Sequence, residues 1–440
     1  MRVGRGALMD LAWVDGFIAQ AGRAMFLREE DRLLIVAPNK SFKLNESAIA
    51  LMKPLLAGKT LSQAAPGLER DEVKRRQVGE FFQGLSDLYN GRLCERNPGA
   101  GVDIQPYTRP HNTLPVLSEI AVTYRCNLDC VFCYAGCSCV KAPDKKEMTL
   151  EQIKKVLGII RHEAKAPTVS FTGGEPTLRE DLPEMISHAA GLGLRTNLIT
   201  NGSAINSRKA AALKEAGLLS AQVSIEGPDA ATHEAMTKKP GSFAASLRGY
   251  DALAVAGIHV HPHLTITKIN APRLMDHLEF IQRLGARRFS MNQLIPTGTG
   301  AGQEELWVRY SEAGPMIEKV RKQSRKKGLE FMWYSPTPLC IYNPIAAGLG
   351  NKSCAACDGL LSVAPDGGVL PCSSFGQSVG NLMDEDFASI WKGEKARYWG
   401  NKDYAPPRCL SCADFDACAC ACPLYWDKVG YSELEDAWNE

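Results

Sequence analysis

Long apolar runs are missing from this sequence: none approaches the roughly 18 residues that a membrane-spanning helix needs. A secretory signal is missing too, because Asp10 and Asp15 interrupt the apolar stretch ALMDLAWVDGFIA near the N-terminus. Charge of one sign is not in excess. Lysine and arginine number 51 against 49 aspartates and glutamates, a net charge of +2, so nothing favours nucleic acid or an anionic membrane as a partner. A cytoplasmic protein is the expectation. Cysteine is missing between Cys139 and Cys340, which sorts all 15 cysteines into an isolated Cys94, five from 126 to 139, and nine from 340 onward. Without a secretory signal, such clusters argue for metal or redox chemistry over disulfides, and an odd total cannot pair completely within one chain.

The 440 residues, 45 % apolar and 23 % charged, are globular in composition and long enough for about three domains. Residues 1–97 hold no chemical motif. AMFLRE and DRLLIVAP read as two short strands around a polar turn, and LNESAIALMKPLL as a helix capped by Asn45. A second helix covers DEVKRRQVGEFFQGLSDLYNG, with Val73, Val78, Phe81, Phe82, Leu85 and Leu88 as its apolar stripe. Together they suggest a small winged-helix-like domain. Residues 98–116, rich in proline and glycine, read as a linker.

From 117 to 335 the pattern alternates. Six strand-like segments (VLSEIAVTY, PTVSFT, LRTNLIT, LLSAQVSI, IHVHPHLTIT and ARRFSMNQLI) are separated by five helical ones. Units of about 30 residues predict a parallel α/β fold, a partial (β/α)6 barrel of the TIM type, whose working residues follow the strands. Residues 336–440 lose this periodicity and fill with cysteine, glycine and proline, so metal is expected to hold them together.

The predicted strand ends carry the chemistry. Cys126, Cys130 and Cys133 follow the first strand, where three thiolates can ligate three irons of a [4Fe-4S] cluster and leave the fourth iron open. Tetrahedral zinc completed by Cys137 also satisfies the local spacing. FTGGEPTL follows the second strand: Gly173 and Gly174 let backbone approach a ligand, and Glu175 stands by to fix the loop. Asn201 and Gly202 follow the third strand, Ser224 and Glu226 the fourth, and IPTGTG the sixth.

In these motifs and their order, residues 117–300 closely resemble the radical S-adenosylmethionine (radical SAM) superfamily. Its CxxxCxxC loop matches Cys126, Cys130 and Cys133, with Phe132 at the family's aromatic position, and its GGEP motif matches residues 173–176. The resemblance implies a [4Fe-4S] cluster whose open iron chelates S-adenosylmethionine (AdoMet), and one-electron cleavage to a 5′-deoxyadenosyl radical that abstracts hydrogen from substrate. It implies that Gly173, Gly174 and Glu175 meet the AdoMet ammonium side, Ser224 its carboxylate and Asn201 its ribose, with Pro296 to Gly298 near the adenine. Two departures stand out. THEAMTKK places Thr237 where relatives often carry an arginine, and Cys137 and Cys139 are extra to the family loop.

The last hundred residues resemble the SPASM extension of radical SAM enzymes, which carries auxiliary iron–sulfur clusters. That resemblance implies one cluster on Cys354 (or Cys340), Cys357, Cys372 and Cys422. A second would sit on Cys409, Cys412 and Cys418, with Cys420, Asp427 or substrate open as fourth ligand. FKLNESAIALMKPLLAGKTLSQ resembles PqqD-like peptide-recognition domains, implying that a leader segment of a peptide or protein substrate docks at the N-terminal domain. The combined expectation is a maturase that cross-links, oxidises or epimerises such a substrate, fed by a flavodoxin or ferredoxin. Tetrapyrrole side-chain processing, maturation of a folded enzyme and a non-catalytic iron–sulfur carrier are the alternatives. His259, His261 and His263 alternate on one strand and read as solvated or substrate-facing. Glu226 reads equally as substrate contact or fold support.

Overall fold

The structure, a computed structural model, describes residues 10–37, 40–89, 109, 112–137 and 146–439. Two compact units divide the chain, Met1–Tyr107 and Thr108–Glu440. Most of the expected linker, together with Cys94 and Cys139, lies outside the described residues. No helix among the described residues is long and apolar enough to cross a membrane.

The first unit begins with helix α1 (Trp13–Ala21), followed by strands β1 (Met25–Arg28), β2 (Leu33–Val36) and β3 (Lys40–Lys43) in an antiparallel sheet of order β1-β2-β3. Arg28 and Asp31, both buried, close the β1–β2 turn with paired 2.8 Å hydrogen bonds. The charge-assisted fork satisfies two groups that burial would otherwise penalise. Helices α2 (Glu46–Leu56), α3 (Leu61–Ala64) and α4 (Glu72–Tyr89) complete the unit. Asn45 caps α2 as expected, its side chain accepting from the Ala48 N–H at 2.8 Å. On α4, Val78, Phe81, Phe82 and Leu85 are buried, but Val73 is exposed. At about 100° per residue Val73 lies about 140° round the helix from Val78, off the apolar stripe.

The second unit is built on one ten-stranded sheet. Strands β4 (Leu117–Thr123), β5 (Thr168–Gly173), β6 (Arg195–Thr200), β7 (Ser220–Ser224), β8 (His259–Ile266) and β9 (Arg288–Gln293) are the six expected ones, parallel and in chain order. Helices α5 (Leu150–His162), α6 (Leu182–Gly191), α7 (Ser207–Glu215), α8 (Ala230–Thr237), α9 (Ser242–Val255) and α10 (Leu274–Arg283) connect them, with α8 an addition to the expected five. Helix α11 (Tyr310–Lys326) leads to a seventh parallel strand, β10 (Glu330–Trp333), beside β9. At the opposite edge β11 (Leu360–Val363) pairs parallel with β4 and is followed by antiparallel β12 (Gly368–Leu370) and β13 (Gly380–Asn381). The cysteine-rich segment therefore extends the barrel's own sheet.

The two faces of this sheet differ because side chains alternate along a strand. Ile120, Val122, Val169, Phe171, Leu198, Val223, Leu264, Phe289, Met291 and Trp333 share the large core under the helices. The intervening positions form a polar ladder. Ser362 donates to Glu119 (2.8 Å), Asn197 to Ser170 (3.1 Å), and Ser220 to Asn197 (2.8 Å). An open sheet with helices on one side and a polar concave face on the other leaves that face free for a site.

Candidate functional site

The thiols nearest the concave face lie on the loop after β4. Helix α8 holds this loop from one side: the N–H groups of Asp129 and Val131 donate to Thr237 O (3.1 Å) and Met236 O (3.0 Å), carbonyls at a helix end with no partner inside the helix. The segment after β9 holds it from another, with Thr299 N–H donating to Cys133 O at 2.9 Å. Gly298 has φ +55°, and a Cβ there would lie 2.3 Å from Cys133 O, so only glycine permits this approach. Phe132 packs toward Leu294, Leu306 and Trp307 and anchors the loop rather than pointing free.

Within the loop, Cys133 lies close enough to raise the proton affinity of Cys126, and Cys126 and Cys133 that of Cys130. Burial pushes Cys126 up to about 11 and Cys130 well above the ordinary thiol range. Cys133 moves the other way, to about 6, because the Cys137 side chain and the backbone N–H groups of Cys137, Ala135 and Gly136 hydrogen-bond its sulfur. An all-sulfur donor set, desolvated and partly ringed by N–H dipoles, has the chemistry of an iron–sulfur ligand set. Cys137 is buried, and its N–H lies 3.4 Å from Cys133 Sγ.

The GGEP segment sits beside this loop for a reason different from the one expected. A Cβ on Gly173 would meet Thr123 O at 2.1 Å, and one on Gly174 would meet Arg125 O at 2.3 Å. What approaches the two glycines is therefore the chain itself, and the N–H groups of Gly174 and Glu175 donate to those same carbonyls at 2.8 Å. Glu175 is fully buried and accepts from the Thr177 N–H (3.0 Å), the Thr200 hydroxyl (2.7 Å) and the Asn201 N–H (2.8 Å). It ties the ends of β5 and β6 together. Asn201 then donates to Asn127 Oδ1 at 2.9 Å and stands 3.9 Å from Cys126 Sγ. Ser224 ends β7 on the polar face, in register with His263.

Glu226 and the histidines resolve differently. Glu226 is buried, its carboxylate accepting from the Thr265 N–H at 2.8 Å, and burial pushes its pKa up to about 8. It supports the fold. His259 is exposed and His261 half-buried, whereas His263 is buried, hydrogen-bonded to Ser290 at 2.8 Å and stacked on Tyr334. Solvation therefore holds for His259 and not for His263, because the strand runs from the rim into the interior.

A cavity of about 670 Å³ opens between this loop and the cysteine-rich segment, lined by Tyr124, Tyr134, Pro296, Gly298, Ser373 and Asp427 among others. Asp427 faces this cavity with Lys428 Nζ 3.3 Å away. Beyond it Cys354, Cys357, Cys372 and Cys422 influence one another electrostatically, and burial lifts Cys357 and Cys422 to about 12. Cys354, and not Cys340, is the member of this group.

Two residues here carried no readable signal in sequence. Lys402 is fully buried, donates to Ala356 O at 3.0 Å, and its charge opposes the rise at Cys357. Glu119 lies near Cys372 and Tyr134, and burial raises its pKa.

The remaining thiols gather separately. Ala419, Cys420 and Ala421 all adopt left-handed backbone, with φ of 55°, 54° and 53°. Each costs roughly 1–2 kcal/mol for a residue with a Cβ. Tyr404 donates to Ala419 O (3.1 Å) and Ala421 O (3.3 Å), and Trp426 to Cys420 O (2.6 Å), which holds the turn. Its effect is to send Cys418 and Cys422, four residues apart, into different thiol groups.

A family model for the radical SAM superfamily matches residues 120–281, and one for the SPASM iron–sulfur cluster-binding domain matches residues 354–413. Among curated proteins, the AdoMet-dependent heme synthase of Oleidesulfovibrio alaskensis is 29 % identical over 321 residues, 68 % of this chain and 80 % of that one. The Methanosarcina barkeri AdoMet-dependent heme synthase is 27 % identical over 344 residues, 73 % of this chain and 95 % of that one. Among solved structures, Streptococcus suis SuiB bound to S-adenosylmethionine superposes with a TM-score of 0.68 at 16 % identity, covering 92 % of this chain and 96 % of its own. Native anSMEcpe with bound AdoMet gives 0.56 at 16 % identity, covering 74 % and 100 %.

Proposed function

From the premise that this chain is a radical SAM enzyme, with a [4Fe-4S] cluster that binds AdoMet and auxiliary iron–sulfur clusters in a SPASM domain, we propose that it modifies a ribosomally made peptide or protein. When bound, the cluster and AdoMet supply a carbon-centred radical that removes a hydrogen atom from substrate. The chain's own residues place and shield that chemistry. Cys126, Cys130 and Cys133 would hold the cluster by three thiolates and so leave it a place to bind AdoMet. Asn201 and Ser224, at the ends of β6 and β7, meet the cosubstrate from the polar face. The cavity between the loop and the first thiol group admits the reacting part of the substrate and excludes bulk water around it. Cys354, Cys357, Cys372 and Cys422 would hold an auxiliary iron–sulfur cluster, which would supply an acceptor for the electron released when a cross-link or oxidation is completed. A flavodoxin or ferredoxin in the cytoplasm supplies the first electron.

The observation that carries this reading is the N-terminal unit. Its sheet ends in β3, the polar strand KSFK, which has no strand on its outer side among the described residues. A leader segment adding as a further strand there would gain backbone hydrogen bonds and tether the peptide to this chain. The SuiB superposition, at 92 % of this chain, must include part of this unit, since residues 108–440 alone could supply only 333 of 440. One of those structures is SuiB bound to precursor peptide SuiA. The heme synthase matches, at 68–73 % of the chain, need none of it.

Those same relatives favour a second reading, radical processing of a tetrapyrrole side chain, in which the N-terminal unit serves another purpose. The full-length, cluster-loaded protein as bait, followed by mass spectrometry of what elutes and turnover with AdoMet and reductant, separates the two. A captured peptide that loses hydrogen mass on turnover is expected. Turnover of a tetrapyrrole side chain, and no response to any captured peptide, would overturn it.

A further inference from the structure

The CxxC run supplies three cysteines for a second auxiliary cluster, Cys409, Cys412 and Cys418. The fold brings a fourth from the opposite direction. After β10 the chain turns at Pro338, where the N–H groups of Ile341 and Tyr342 both donate to Pro338 O. That turn lies against the CxxC run: the Leu339 N–H donates to Cys418 Sγ at 3.4 Å, and Ile341 packs onto the cluster containing Cys409 and Cys420. Cys340, between these two anchored residues, is exposed and within electrostatic reach of Cys409, Cys412 and Cys418.

We propose that Cys340, Cys409, Cys412 and Cys418 together hold the second auxiliary cluster, closing all four of its corners, while Cys420 stands beside it as a spare thiol. The proposal rests on the iron–sulfur chemistry of the SPASM domain. Cys420 is fully buried in the left-handed turn and sits against Cys409, whose thiolate it stabilises by hydrogen bonding. The N–H groups of Cys420 and Ala421 point at Cys418 sulfur, as does that of Leu339. The turn therefore presents N–H···S hydrogen bonds to the Cys418 ligand, and Cys420 is held in its place under Trp426, whose indole N–H donates to its carbonyl. A cluster closed by four thiolates relays electrons and takes no substrate atom as ligand.

The test compares Cys340→Ser, Cys420→Ser and Cys409→Ser in protein purified and loaded without oxygen. After mild oxidation, Cys340→Ser and Cys409→Ser are expected to show a [3Fe-4S] paramagnetic signal or lose about four irons per chain, and Cys420→Ser to match the parent. If Cys420→Ser gives the three-iron signal and Cys340→Ser does not, the assignment is overturned. If only Cys409→Ser responds, the cluster exists but its fourth corner is not a Cys340 thiolate, which also overturns it. Absence of acid-labile sulfide in every form would instead sink the iron–sulfur reading itself. Alkylation of the unmutated holoenzyme is independent of whether a variant folds: Cys340, although exposed, should resist iodoacetamide until a chelator strips the iron. Rapid labelling of Cys340 with the clusters intact would refute its ligation.

Discussion

The two cysteine-rich regions solve the same chemical problem in opposite ways. Cys126, Cys130 and Cys133 sit in one loop of eight residues, pinned by the end of α8 and by the segment after β9. The thiols from Cys340 to Cys422 are interleaved over more than eighty residues, and neighbours in sequence belong to different groups. A local ligand set needs one loop conformation. A dispersed set needs the whole sheet extension from β11 to β13, the left-handed turn at Ala419–Ala421 and the turn at Pro338 before any thiol has its partners. Spacing therefore makes the first set legible in sequence, whereas the second needs the fold.

The largest expected effect tests whether the two regions are separate in function. Cys126→Ala should reduce 5′-deoxyadenosine formation by more than the roughly 10–100-fold seen on losing a supporting group, that is, to background. Cys372→Ala should lose about four irons per chain yet continue to cleave AdoMet without completing product. Chromatography of deoxyadenosine beside iron analysis reads both. Equal loss of cleavage in the two variants would erase the contrast.

A smaller effect concerns a buried cation of the second region. Lys402 is buried beside Cys354 and Cys357, and each thiolate favours its charged form while burial lowers its pKa. Lys402→Met removes a positive charge next to the first auxiliary cluster and should lower its reduction potential by roughly 60 mV, a tenfold change for a one-electron couple. A potentiometric titration followed by electron paramagnetic resonance measures this, and an unchanged potential would show that the amine carries no charge there.

The smallest effect lies in the barrel itself. Burial pushes His263 down to about 3 and His261 to about 4. A histidine whose folded pKa is depressed binds its proton in the unfolded state first, so its contribution is complete above about 6.5 and is lost as pH falls toward 3. His263→Gln should therefore flatten the loss of stability between pH 6.5 and 4 by up to about 1.4 kcal/mol per pH unit. Urea unfolding at several pH values checks it, and an unaltered slope would place the acid sensitivity elsewhere.

Much of the barrel was legible because its strands alternate strongly enough to be seen one at a time. All six expected strands are present in the expected order, and the helix at Asn45 starts where its cap predicts. The strands β3 and β10 were not seen. KSFK and EFMW are four residues each, and they exist because a neighbouring strand supplies their hydrogen bonds. Glycine at 173 and 174 was read correctly as a demand for close approach, but the approaching group is the β4 backbone. Lys402 and Glu119 look like surface charges in sequence, and only burial gives them meaning.

By itself the sequence determined the periodic elements, the thiol triad and the order of the strand-end motifs, because each depends on residues within a few positions of one another. Tertiary structure alone decided which distant thiols approach one another and which buried charges face them. Those relations depend on how far a chain travels in space between two residues, and the number of residues between them does not encode that path.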